Sequence, residues 1–134
     1  MTTRKYLPTF AELIDRLSIV QLKEWLLSEH REEYAAEIKE ILHDLDIIIQ
    51  EENVVLTAKE IRAILVVGAI NREIWLNESN FRSGIDTGND LELTHGLNSI
   101  RNFAKNRIQE SLGGRQDYKL DNVKAFPKWI PSWE

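Results

Sequence analysis

Two stretches carry side chains whose types and spacing suit chemistry. Asn71, Trp75, Glu78 and Arg82 stand four, three and four residues apart, the interval at which side chains share one face of a helix. Asn98, Arg101 and Asn102 come next in the run Leu97-Asn98-Ser99-Ile100-Arg101-Asn102. Guanidinium groups bind carboxylates and phosphates through paired N–H donors, and carboxamides donate and accept at one site. Glu78 and Arg82 are spaced as an i,i+4 ion pair. Set among apolar side chains, that pair needs further partners to offset its desolvation. Asp15, Ser18, Asn98, Arg101 and Asn102 are available to supply them. The expectation is a polar centre between the first, third and fourth helices, with Asn71, Glu78, Arg82 and Arg101 mostly buried and sharing hydrogen bonds. Two roles stay open: a network that fixes helix register, or a pocket in which Arg82 and Arg101 bind an anion.

Other constellations read as ordinary surface. His43-Asp44 with His30 and Asp86 or Asp90 has the residue types of a metal site, but the periodicity puts His43 opposite the apolar stripe of its helix. Glu32, Glu33, Glu37, Glu40 and Asp44 have the charge to hold magnesium; their spacing fits a solvated acidic face. His95, beside Gly96 near a helix start, reads as a surface or capping residue. There is no Ser-His-Asp order, phosphate-binding glycine loop or HExxH. No metal and no cofactor are expected. Trp25, Trp75, Trp129 and Trp133 read as core and tail anchors.

Four helices must position these groups. Thr9 with Glu12, and Thr57 with Glu60, are capping boxes that open helices near Phe10 and Ala58. The spacing predicts helices over 10–28, 32–52, 58–82 and 91–112. The first is apolar most of the way round (Leu13, Ile14, Leu17, Val20, Leu22), which makes it central; Asp15, Ser18 and Gln21 then need partners if buried. Between Leu27 and Tyr34 the apolar rhythm lapses without Gly or Pro, so a turn and a kinked continuous helix both fit. The second helix has a clean stripe from Tyr34 to Ile49. Gly68, inside the third, costs about 1 kcal/mol relative to Ala, which suggests close approach of a neighbouring helix. Gly113-Gly114 suits a helix end. Pro127 and Pro131 forbid a regular helix in the last twenty residues, whose Phe126, Trp129, Ile130 and Trp133 predict an ordered extended arm over 115–134, packed on a groove or on a partner subunit. The fold expected is all-α, a single domain over 1–134, an antiparallel bundle of four principal helices with that C-terminal arm.

Composition excludes several function classes. With 134 residues, 43% hydrophobic and 29% charged, the chain can bury a core without a metal or a cross-link. It has no cysteine, so disulfides, thiolate metal sites and cysteine nucleophiles are out. The net charge of −5 argues against nucleic acid as a partner. No apolar run is long enough for a membrane span, and the opening residues lack the apolar core of a signal peptide. A cytoplasmic protein is expected. Charge is uneven: Glu29 to Glu52 holds nine acidic residues against two basic, and Arg101 to Lys128 seven basic against three acidic. Such faces can meet within a chain or across a dimer.

The two stretches also resemble an uncharacterised bacterial family of helical proteins often encoded beside glycosyltransferase and surface-polysaccharide genes. Its pattern is Asn-x-x-aliphatic-Trp, then Glu, Arg and a Leu-Asn-x-x-Arg-Asn run, here Asn71, Ile74, Trp75, Glu78, Arg82 and Leu97, Asn98, Arg101, Asn102. The likeness spans residues 71–108 alone; it implies one structural or binding unit and supplies no reaction. The preferred expectation is a non-enzymatic interaction or accessory protein assembling as a homodimer. The alternative is a small ligand-binding protein or enzyme that takes an anionic metabolite or sugar phosphate at the polar centre.

Overall fold

The computed structural model describes residues 7–84, 90–110 and 112. The expected arm over 115–134 lies outside the described residues, as do Asp86 and the side chain of Asp90. The described chain is all-α, with helices α1 (Phe10–Leu26), α2 (Arg31–Glu51), α3 (Ala58–Arg82) and α4 (Asp90–Glu110). The Thr9 hydroxyl accepts from the Glu12 amide at 3.2 Å, so α1 starts where its capping box predicts. At α3 the Thr57 hydroxyl donates to the Glu60 carboxylate at 2.6 Å, and Glu60 is buried.

The lapse after Leu27 is a true break. His30 takes a left-handed conformation, φ 64°, which His tolerates better than most non-glycine residues. Arg31 then reaches back, donating from Nε to the Glu24 carbonyl at 3.1 Å and from Nη2 to the Trp25 carbonyl at 3.4 Å. One cation thereby satisfies two carbonyls that the end of α1 leaves open. The end of α2 uses Asn53, φ 50°, in a Schellman turn: the Val54 amide donates to the Ile49 carbonyl at 3.1 Å, and Val54 packs against the core.

The apolar periodicity of α1 has the consequence expected of it. α1 is central, packed on α2 through one side and on the α3–α4 hairpin through the other. α2 makes close backbone approach to α1 and to neither α3 nor α4. Its Ile41, Leu45 and Ile48 are buried. Across the hairpin, Val67 of α3 and Leu97, Ile100, Ala104 and Ile108 of α4 belong to one core, all essentially inaccessible. α1 runs antiparallel to α4, since Ala11 meets Gln109 and Asp15 meets Lys105. The Ala11 amide, one of the open N–H groups of the first turn, donates to Gln109 Oε1 at 3.2 Å.

Two expectations change. Trp25 is 70% exposed and no core anchor, because it lies in the last turn of α1. Gly68 faces Ser18, but a Cβ on it would stand 4.0 Å from the Ser18 Oγ, ordinary contact, so close packing does not require glycine there. Gly68→Ala is therefore expected to stabilise the protein by up to about 1 kcal/mol, whereas Ile100→Ala should cost about 2–5 kcal/mol. Urea unfolding of the two variants beside the wild type measures both.

Candidate functional site

Asn71 lies halfway along α3 on the edge that meets both α1 and α4, and is 3% exposed. Its carboxamide is used from both ends. Nδ2 donates to Asp15 Oδ1 of α1 at 2.8 Å, and Oδ1 accepts from Arg101 Nη1 of α4 at 3.1 Å. Arg101 Nη2 donates to Asn98 Oδ1, one turn earlier on α4, at 2.6 Å. On the far side, Lys105 Nζ stands 3.8 Å from Asp15 Oδ2, with both side chains largely buried. The result is one chain of polar contacts: Lys105, Asp15, Asn71, Arg101, Asn98. Two polar atoms nearby, Arg101 Nε and Ser18 Oγ, are buried with no hydrogen-bond partner among the described residues.

The ionic balance of this chain is uneven. The Asp15 carboxylate faces the Lys105 ammonium. Arg101, by contrast, is held by two neutral amide oxygens, which fix its plane without cancelling its charge. A half-open cavity of about 290 Å³ lies against it, lined by Asn71, Ile74, Trp75 and Glu78 of α3, Ile19 and Leu22 of α1, and Asn98 and Arg101 of α4. The lining combines aliphatic side chains and one indole with two amides, one guanidinium and one carboxylate. This size is near the lower end of ligand pockets, roughly 300–1,000 Å³, so it suits a ligand of monosaccharide or amino-acid dimensions.

The structure thus brings together Asp15, Asn71, Asn98 and Arg101, and sets Trp75 and Glu78 on the cavity wall. It does not bury the Glu78–Arg82 pair. Both residues are exposed, and no ion pair joins them among the described residues. Glu78 lies at the mouth of the cavity that it lines with Leu22 of α1, and Arg82 is the last residue of α3. Arg82 lies outside the cavity lining. Asn102 is half-buried on α4 and stays outside the hydrogen-bonded chain.

Sequence reasoning missed Lys105 and Gln109. The signal was present, since Arg101, Lys105 and Gln109 recur every four residues on α4, and that row is the one turned toward α1 and α3. His43 and Asp44 are exposed and bonded to each other at 3.2 Å. Among the described residues, no group of three or more His, Asp or Glu side chains is placed to hold a metal ion.

The Asn71 carboxamide donates to Asp15 and accepts from Arg101 at once, whereas an ionised carboxylate in its place can only accept. Asn71→Asp is expected to lower stability by about 1–3 kcal/mol, because it puts a second carboxylate against Asp15. The added substitution Asp15→Asn should restore part of the loss, read as a coupling energy in a double-mutant cycle of chemical unfolding. Arg82→Ala, an exposed change, should fall within about 0.5 kcal/mol of wild type.

Compared with known proteins, the chain matches no family model, no curated protein and no solved structure.

Proposed function

We propose that this chain is a small-molecule-binding protein whose ligand is a small anion of the sugar-phosphate or carboxylate class, held in the cavity between α1, α3 and α4. The observation that carries this reading is the state of Arg101. It borders an open cavity of suitable size, oriented by Asn71 and Asn98, with no carboxylate on either bond. A cation fixed by neutral partners keeps its attraction for an arriving anion and needs little reorganisation to receive it. Trp75 and the aliphatic wall suit the apolar face of a sugar ring, and Glu78 and the two amides suit hydroxyl groups. The resemblance of residues 71–108 to helical proteins encoded near glycosyltransferases points the ligand search toward sugar phosphates. Catalysis is not part of the proposal.

The test is thermal unfolding with inorganic phosphate, hexose phosphates, hexuronates and neutral hexoses. A ligand at one hundred times its Kd stabilises the folded state by about 2.7 kcal/mol, a rise of several degrees in Tm. The expected result is a shift with an anionic sugar, none with the neutral hexose, and loss of the shift in Arg101→Met. Arg82→Ala should keep it. A panel that leaves wild type unmoved assigns the polar centre to structure alone.

A second reading is an accessory protein that assembles as a homodimer in the cytoplasm. What favours it is the number of large apolar side chains in contact with solvent, Leu65 at 66% among them. It predicts a mass that rises with concentration in light scattering and returns to that of one chain in Leu65→Glu.

A further inference from the structure

The cavity between α1, α3 and α4 is charged at two places, and the two charges have opposite sign. Among the described residues that line it, Arg101 and Glu78 alone are ionised; the others are amides, aliphatic side chains and one indole. The two charges are set apart along the helices. Arg101 is bonded to Asn71, which is 3% exposed and marks the inner end. Glu78 follows Asn71 by two turns of α3, a rise of about 10 Å, and is exposed at the mouth. No ion pair joins Glu78 to Arg101 among the described residues, and the Glu78 carboxylate pairs with no other cation there.

Each charge has a setting that suits a different group. At the inner end, a guanidinium oriented by the amide oxygens of Asn71 and Asn98 suits an anion. At the mouth, Glu78 follows Trp75 by three residues, so carboxylate and indole share one face of α3, and both line the cavity. A carboxylate beside an aromatic ring is a pairing that holds an ammonium group: the carboxylate supplies charge and acceptor oxygens, and the ring face attracts the cation. Glu78 could accept from a hydroxyl as readily in geometry, and charge is what separates the two. A ligand that is only an anion gains at Arg101 and is opposed by Glu78, since both charges act within one partly desolvated cavity. A ligand with an ammonium at its other end meets an opposite charge at each.

We propose that the ligand of this cavity is a zwitterion: its anionic group binds Arg101, and an ammonium group several bonds away binds Glu78 and Trp75. An amino-sugar phosphate has this form. The ammonium subsite adds to the anion-binding reading of Arg101, on which it rests, and makes Glu78 the residue that sets specificity.

Glucosamine 6-phosphate, glucose 6-phosphate and N-acetylglucosamine 6-phosphate differ at one carbon, which carries an ammonium, a hydroxyl and a neutral amide in turn. Titration calorimetry of the full chain at neutral pH gives their dissociation constants. The expected result is that glucosamine 6-phosphate binds roughly three- to tenfold tighter than the other two. In Glu78→Gln, an exposed change that leaves the helical circular dichroism intact, that preference should disappear. Arg101→Met should weaken all three. If glucose 6-phosphate binds wild type as tightly as glucosamine 6-phosphate, the ammonium subsite is overturned while the anion site at Arg101 stands. A preference that survives in Glu78→Gln overturns the subsite as well, since Glu78 is then not its source. If none of the three binds wild type, the zwitterion proposal falls, and the wider panel of anions decides the reading beneath it.

Discussion

One carboxamide holds the architecture in register. Asn71 is the point at which α1, α3 and α4 meet through polar atoms, and its amide has a direction. The nitrogen must face Asp15 and the oxygen must face Arg101, since each is the only end that its partner can use. A slip of one residue by any of the three helices would turn an acceptor toward an acceptor or move the group out of reach. Apolar packing tolerates such slips more readily than a buried donor–acceptor chain does. The aliphatic floor of Val67, Leu97, Ile100 and Ile108 supplies the driving force for association, and the polar chain selects one association among several.

That selection carries the site with it. Arg101 is oriented because Asn71 is oriented, and Asn71 is oriented because Asp15 lies across from it with Lys105 behind. Each layer fixes the next, so the Arg101 guanidinium is held in one orientation. The centre is also incompletely closed. Among the described residues Arg101 Nε and Ser18 Oγ have no partner, and the cavity beside Arg101 is open on one side.

Much of this is legible in the residues. The capping boxes at Thr9 and Thr57 place two helix starts, and the nearly all-round apolar character of α1 makes it the central helix. Asp15, Asn71 and Arg101 are legible because each is a polar residue in or beside an apolar arc, and Asn98 through its place in the run Leu97 to Asn102. The failures have one cause. Periodicity gives the direction of a side chain around its helix and says nothing of where along the axis the neighbouring helix stops. Arg82 is the last residue of α3, Glu78 stands one turn before it at the mouth of the cavity, and Trp25 lies in the last turn of α1. The break before α2 is ambiguous in sequence because its left-handed residue is His30 instead of glycine. Gln109 falls off the apolar stripe of α4, and the row it forms with Arg101 and Lys105 marks a helix edge rather than its face.

The lone attachment of α2 to α1 divides the molecule energetically. α1, α3 and α4 share the polar chain and the densest part of the core, whereas α2 joins through one apolar seam and the exposed ion pair of Arg16 with Glu37 at 3.2 Å, which adds little. Amide exchange in such an arrangement is expected to proceed through partial opening, α2 exchanging its protons before the other three helices do. The left-handed residues His30 and Asn53 bracket that unit at its two ends, where the chain reverses out of and into its neighbours.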